Sequence, residues 1–294
     1  MASRQLFVSV NGQATPAAAP AIGALDRGLL YGDGLFETLR AYDGVPFLLD
    51  EHVARLNASA AQLRLCDPLD PDILRGDVVE LLRLNDLGDA YIRITLTRGA
   101  HAGVLELEPT PRPTVSIVAR PLHPPSPRRY ERGIAAIVAA IPQSADSPLP
   151  RHKTLNYLAN LLARTEARQR GADDAIRLNT RGEVAEAASS NLFLVRDGNL
   201  LTPALEANIL PGITRQVVLR LAREGNREVH ERTVRPEELG EADEVFLTNS
   251  IVELLPVCRI EGQPVGDGRP GPVTRELHEA YRRHVANAVA GAGV

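Results

Sequence analysis

Lys153 is the only lysine in a chain of 294 residues; every other strong base is an arginine. It lies in RHKTLNYL, between a proline-ended strand signal and a strongly periodic helical stretch. Further on, after a strand-like DAIRLN and a TRGE turn, Glu186 stands as an isolated carboxylate in a run of small residues. A lysine amine condenses with an aldehyde, and a carboxylate keeps a pyridine nitrogen protonated so that the ring draws electrons. An aldehyde cofactor built on a pyridine ring needs both groups. Taken alone, each residue reads more readily as a solvated surface charge.

Three further stretches could hold a phosphate. Arg55, on the first turns of a helix, offers a planar guanidinium suited to phosphate, and otherwise reads as a surface partner of Asp50 or Glu51. In PGITR, Gly212, Ile213 and Thr214 sit where a helix begins, and the first helical N–H groups have no internal partner. The bland reading is an ordinary helix start. TNSIVE concentrates donors after a strand at Thr248, Asn249 and Ser250. Together, Arg55, the amides of Ile213 and Thr214, and Ser250 would make a phosphate cup.

The elements that must position these groups alternate along the chain. LFVSVNG (6–12) reads as a strand ending in an Asn-Gly hairpin signal, and 14–20 as an irregular connection. The GDG at 32–34 is not a dinucleotide fingerprint, because no third glycine follows at the required spacing. Strands are expected at 35–41 and 45–49 around Asp43-Gly44, with a helix from about Asp50 that lines up Val53, Leu56, Ala60 and Leu63. A helix at 72–85 and strands at 91–99 and 114–120 follow. PLHPPSPRR (121–129) carries four prolines in nine residues and suits neither strand nor helix, which places a domain boundary there. The second half opens on a buried strand, GIAAIVAAIP, and continues with hairpins turning at Asp197-Gly198 and Glu261-Gly262. Helices are expected from Gly212 and Pro272, and a strand at 244–248.

With 44% hydrophobic residues, the chain can build one large or two medium cores. Its net charge of −4, with acids and bases interleaved, argues against a nucleic-acid stripe or a polybasic membrane face. Two distant cysteines, Cys66 and Cys258, form no CxxC, and the seven histidines show no zinc-protease spacing, so no metal is expected. The start lacks a signal-peptide core and no apolar run is long enough to span a bilayer, which fits a reducing cytoplasm.

In order along the chain, YGDGLFETLR, EHVARL, KTLNYL, VAEAASSNLF, LPGITR, NSIVELLPV and GDGRPGPVT resemble the fold-type IV, class IV family of pyridoxal-phosphate enzymes. That family holds branched-chain aminotransferases, D-amino-acid aminotransferases and aminodeoxychorismate lyases. The resemblance runs from about Asp26 to Thr274 and implies a two-domain α/β (α+β) fold. The expected parts are a small N-terminal α/β domain (1–120), a linker (121–129) and a larger, β-barrel-like cofactor domain (130–294). It implies that Lys153 carries pyridoxal 5′-phosphate and that Glu186 meets the ring nitrogen. Arg55, Ile213, Thr214, Asn249 and Ser250 would hold the phosphate, Leu210 would pack on the ring, and Tyr157 would reach its 3-oxygen. Substrates, an amino acid and a keto acid, would meet Tyr31, Phe36, Thr38, Arg40, Tyr91, Arg93, Ile251 and Val252. It further implies a homodimer with its active sites at the domain boundary and Tyr31 entering the partner's pocket.

Within the family the motifs point in different directions. The short KTLNY and Thr38 lean towards the D-amino-acid and lyase branches, whereas Tyr91 and Arg93 in AYIR resemble the branched-chain pattern, where that arginine meets an acidic side chain. The D-amino-acid Arg-x-His carboxylate trap has no counterpart in AHAGVLELE, which offers His101 but no arginine. TNSIVELLPV is most like the lyases. Transamination between an α-amino acid, of D or branched-chain type, and 2-oxoglutarate or pyruvate is therefore the first expectation. Pyruvate elimination from aminodeoxychorismate is the second, and a non-catalytic binding protein of the same fold is a remote third.

Overall fold

Four two-residue turns set the registers of both sheets: Asn11-Gly12, Asp43-Gly44, Asp197-Gly198 and Glu261-Gly262, all with positive φ at both residues. Such turns carry the twist that right-twisted strands need. The computed structural model describes residues 5–19, 22–100 and 105–292. The chain divides into two compact units. One takes the residues up to His123, the segment 152–156 and the stretch from Asn287; the other takes Pro124–Arg151 and Tyr157–Ala286. The lysine segment, placed in the second domain from sequence, is thus part of the first unit.

The first unit contains β1 (Phe7–Val10), β2 (Gln13–Pro16), α1 (Arg27–Tyr31), β3 (Gly34–Tyr42), β4 (Val45–Pro46), α2 (Leu49–Gln62), α3 (Pro71–Asn85), β5 (Ala90–Thr97) and β6 (Thr114–Pro121). Its sheet runs β2-β1-β6-β5-β3-β4, antiparallel throughout. One face packs Leu39, Ala41, Ile92, Ile94 and Ile117 against Val53, Leu56 and Ala60 of α2 and Val78, Leu81 and Leu82 of α3. Each such side chain is worth roughly 1.5–3 kcal/mol when buried, so the register cannot slip by one residue. The alternate residues of β3 must therefore point to the other face.

The second unit holds α4 (Pro127–Arg132), β7 (Ile134–Val138), α5 (Leu158–Gln169), β8 (Asp174–Leu178), β9 (Val184–Ala187), β10 (Asn191–Arg196), β11 (Asn199–Pro203), α6 (Ile213–Glu224), β12 (Val229–Arg232), α7 (Glu238–Glu241), β13 (Glu244–Asn249), β14 (Glu253–Ile260), β15 (Gln263–Pro264) and α8 (Pro272–Ala292), whose last turns belong to the first unit. The strand order is β12-β11-β10-β13-β14-β7-β8-β9, with β15 on β14. The β9 edge curls back to pack against β10, closing the sheet towards a barrel around Ile176, Val184, Leu192, Leu194 and Leu247.

Several boundaries differ from the sequence expectation. The segment after Gly12 is not irregular throughout, because β1 offers an edge on which residues 13–16 pair as β2. The strand expected at 45–49 stops at Pro46: Leu48 turns left-handed (φ 53°) and α2 starts at Leu49. The proline-rich stretch does enter a helix, α4, because proline at the first helical turn loses no hydrogen bond.

Candidate active site

In the first unit, β3 sorts its side chains by face. Register pairs Thr38 with Arg93, Arg40 with Tyr91 and Phe36 with Thr95, so five of the expected substrate residues are cross-strand neighbours on the face away from α2 and α3. The Arg93 guanidinium lies 3.7 Å from the Phe36 ring centroid, and its Nε donates to the Thr95 hydroxyl. Arg40 stacks on Tyr42 at 4.0 Å and pairs with Asp89. Tyr91 is covered by Arg120.

β4 pairs only with the far end of β3, at Ala41 and Tyr42, which leaves the Gly34–Phe36 edge for another strand. The lysine segment takes it. The Phe36 amide donates to the Lys153 carbonyl, the Leu155 amide to the Gly34 carbonyl, and Thr154 bridges to Leu35. The Lys153 amine is thereby set 4.5 Å from the Phe36 ring centroid, on the ring that Arg93 also touches. This explains the second glycine of the GDG: a Cβ on Gly34 would lie 2.5 Å from the Leu96 carbonyl and 2.8 Å from Leu155.

Glu37 points the other way, into the helices. Its carboxylate takes Arg55 Nε at 2.8 Å and Nη2 at 2.6 Å, and contacts His52 Nδ1 at 2.7 Å. Burial raises the Glu37 carboxyl, but the Arg55 charge and the His52 hydrogen bond outweigh it and hold it at about 2. Burial pushes His52 below its ordinary value. Arg55 is therefore not a surface arginine paired with Asp50 or Glu51; a buried carboxylate orients it. Tyr31, in α1, is half exposed beside Arg27. His101 lies outside the described residues.

In the second unit, Glu186 sits in β9, 8% exposed. Gln143 Nε2, Asn191 Nδ2 and the Leu210 amide each donate to its carboxylate at 3.2 Å. Asn191 also donates to the Leu210 carbonyl, which ties the carboxylate to the loop entering α6. Gly212, the N-cap of α6, has no side chain with which to cap the amides of Ile213 and Thr214 that open the helix. A Cβ on Gly212 would fall 1.9 Å from Asn191 Oδ1.

Asn249 closes its own turn: Oδ1 accepts from the Ile251 and Val252 amides, and Nδ2 donates to Ser190 Oγ. Tyr130 donates to the Val252 carbonyl, and the Tyr157 hydroxyl to the Ala188 carbonyl. Sequence reasoning missed Glu37, His52, Gln143 and Asn191. His52 shares the EHVAR turn with Arg55 and could have been read from its spacing; Gln143 stands in a loop with no signal.

Each of these groups of residues suits a part of pyridoxal 5′-phosphate. An uncapped helix start behind a glycine suits a phosphate, and a buried carboxylate held by neutral donors suits a protonated pyridine nitrogen. The sole lysine suits the aldehyde.

The family model "Amino-transferase class IV" matches residues 34–260. The chain is 40% identical to a provisionally named branched-chain-amino-acid aminotransferase of Methanocaldococcus jannaschii, over 94% of this chain and 95% of that one. It is 32% identical to the D-alanine aminotransferase of Bacillus licheniformis, over 96% and 98%. Among solved structures, the T.th. branched-chain amino acid aminotransferase complexed with N-(5′-phosphopyridoxyl)-L-glutamate superposes with a TM-score of 0.89 at 32% identity, covering 97% of this chain and 95% of that one. A 4-amino-4-deoxychorismate lyase structure from Legionella pneumophila gives 0.84 at 27%, covering 91% and 96%. The chain belongs to the class IV aminotransferase family, has its fold-type IV architecture, and is a pyridoxal-phosphate-dependent aminotransferase acting on an amino acid and a keto acid.

Proposed function

We propose that this enzyme transfers the amino group of branched-chain amino acids to 2-oxoglutarate, with Lys153 as the base and Arg93 as the anchor for the acidic side chain of the glutamate pair. The observation that carries the reading is the shared Phe36 ring: the Arg93 guanidinium at 3.7 Å and the Lys153 amine at 4.5 Å from its centroid. A fixed cation on the same ring as the amine gives a distal carboxylate its partner, and Phe36 and Tyr91 supply apolar surface for a branched side chain.

When bound, pyridoxal phosphate supplies a ring that takes up the electron pair left as the α-proton departs. Lys153, in its neutral form, would remove that proton and return it at the carbon of the former aldehyde. Glu186 would hold the proton on the ring nitrogen. The Ile213 and Thr214 amides, Arg55, Asn249 and Ser250 would hold the phosphate, Tyr157 would meet the 3-oxygen, and Leu210 would pack on the ring. Tyr31, Thr38, Arg40, Ile251 and Val252 border the substrate. Exposed Leu29 and Leu30 on α1 and Leu158, Leu161 and Leu162 on α5 support a homodimer. Two buried free cysteines fit a reducing cytoplasm, and among the described residues no helix is long and apolar enough to cross a membrane.

The test is Arg93→Ala. It is expected to raise KM for 2-oxoglutarate by about tenfold or more while KM for L-leucine stays within about twofold. An unchanged KM for 2-oxoglutarate, or D-alanine outcompeting L-leucine as donor in the wild type, refutes the substrate assignment.

A further inference from the structure

Arg177, in β8, is a buried cation at 5% exposure whose hydrogen-bond partners among the described residues are all neutral. Nη1 donates to Gln143 Oε1 at 3.0 Å and to Asn160 Oδ1 at 3.4 Å, Nη2 to the Pro142 carbonyl at 3.2 Å, and Nε to the Ile141 carbonyl at 3.5 Å. Buried charges are ordinarily paired directly, because an uncompensated one costs several kcal/mol. Burial pulls the Arg177 guanidinium below its ordinary range, and the groups opposing that pull are Glu186 and Tyr157. A single amide separates the guanidinium from Glu186. Gln143 accepts from Arg177 at one end and donates at the other to Glu186 Oε1 at 3.2 Å and the Asn208 carbonyl at 2.7 Å. Arginine only donates and a carbonyl only accepts, so one orientation of this amide satisfies both neighbours. A guanidinium on its oxygen polarises the N–H groups it presents to the carboxylate.

We infer that Arg177 is a positioning residue for the reaction: acting through Gln143, it holds Glu186 as the carboxylate, so that the shared proton stays on the cofactor's ring nitrogen. The inference rests on the reading that Glu186 meets that nitrogen. A cation behind Glu186 favours an ionic pair, with the proton on nitrogen, over a neutral pair with the proton on oxygen. The electron demand of the ring then depends on a residue that never touches it.

The experiment loads the enzyme with pyridoxal phosphate labelled with ¹⁵N in the ring and reads the nitrogen shift across pH 6–9, beside kcat and KM. The wild type is expected to hold the protonated-pyridine shift throughout. Arg177→Met should move it towards the unprotonated value, make it pH-dependent and lower kcat by about tenfold or more with KM nearly unchanged. Arg177→Lys, which keeps the charge and loses the planar fork, should stay close to wild type. Gln143→Leu, which cuts the relay and leaves the charge, should move the shift less than Arg177→Met; it carries the test should Arg177→Met fail to load cofactor. A wild-type shift in both Arg177→Met and Gln143→Leu overturns the inference, as does an Arg177→Lys shift matching Arg177→Met, which would make the role purely structural. Glu186→Gln, run in parallel, separates the two claims. If it leaves the shift unchanged, the assignment of Glu186 to the ring nitrogen is what fails.

Discussion

No second lysine stands ready to replace Lys153, so Lys153→Ala is expected to lower turnover by at least about a thousandfold. Borohydride treatment followed by peptide mapping should then find no residue joined to the cofactor. Glu186→Gln keeps the size of the side chain and its link to the Leu210 amide but gives up the charge. It should cost about 10²–10³ in kcat/KM, on the order of 3–4 kcal/mol of electrostatic stabilisation. Both residues stand out in the sequence as candidates, one by its uniqueness and one by its isolation among small residues. Gln143 and Arg177 were not: nothing in IPQSADS or DAIRLN distinguishes them from a solvated loop residue and a strand arginine, and their roles exist only once β7, β8 and β9 lie side by side.

At the scale of elements, the approach of the lysine segment to β3 and the join of β9 to α6 each turn on one glycine. Gly212→Ala would drive its methyl into Asn191, which also holds Glu186. It should weaken pyridoxal phosphate binding by about tenfold or more and destabilise the protein by about 1–3 kcal/mol, against little change in either for Gly240→Ala, where a Cβ meets nothing. Fluorescence titration and thermal melts read both.

The β3–α2 contact titrates. His52 has a folded pKa below its unfolded value, and Glu37 is held at about 2 against an ordinary 4.5. In each case the unfolded chain binds the proton more readily, so stability is full above the unfolded pKa and falls with acidification. His52 contributes its loss below pH 6.5 and Glu37 between about 4.5 and 2. Melting temperature should decline across that window, and more shallowly in Glu37→Gln. Equal slopes would remove the cluster from the account. Hairpins and long helices were readable at this scale, because Asn-Gly and Asp-Gly turns and the 3.6-residue apolar spacing are local. The pairing of 152–156 with β3 is long-range, and no local pattern encodes it.

For the whole molecule, the order of motifs along the sequence revealed the family and its two-part build, while the assembly has to be measured. Sedimentation should give twice the 31.8 kDa of one chain, and Leu161→Glu with Leu162→Glu should halve it. A wild-type monomer with full activity would remove the shared-site picture. The most direct test of the central claim follows the absorption spectrum of the yellow holoenzyme as single amino acids are added without any keto acid: L-leucine, L-glutamate, D-alanine and D-glutamate. L-leucine and L-glutamate should convert the cofactor stoichiometrically to its amine form with release of their keto acids, and 2-oxoglutarate should restore the original band. A spectrum that no amino acid changes, together with pyruvate release from aminodeoxychorismate, would contradict it.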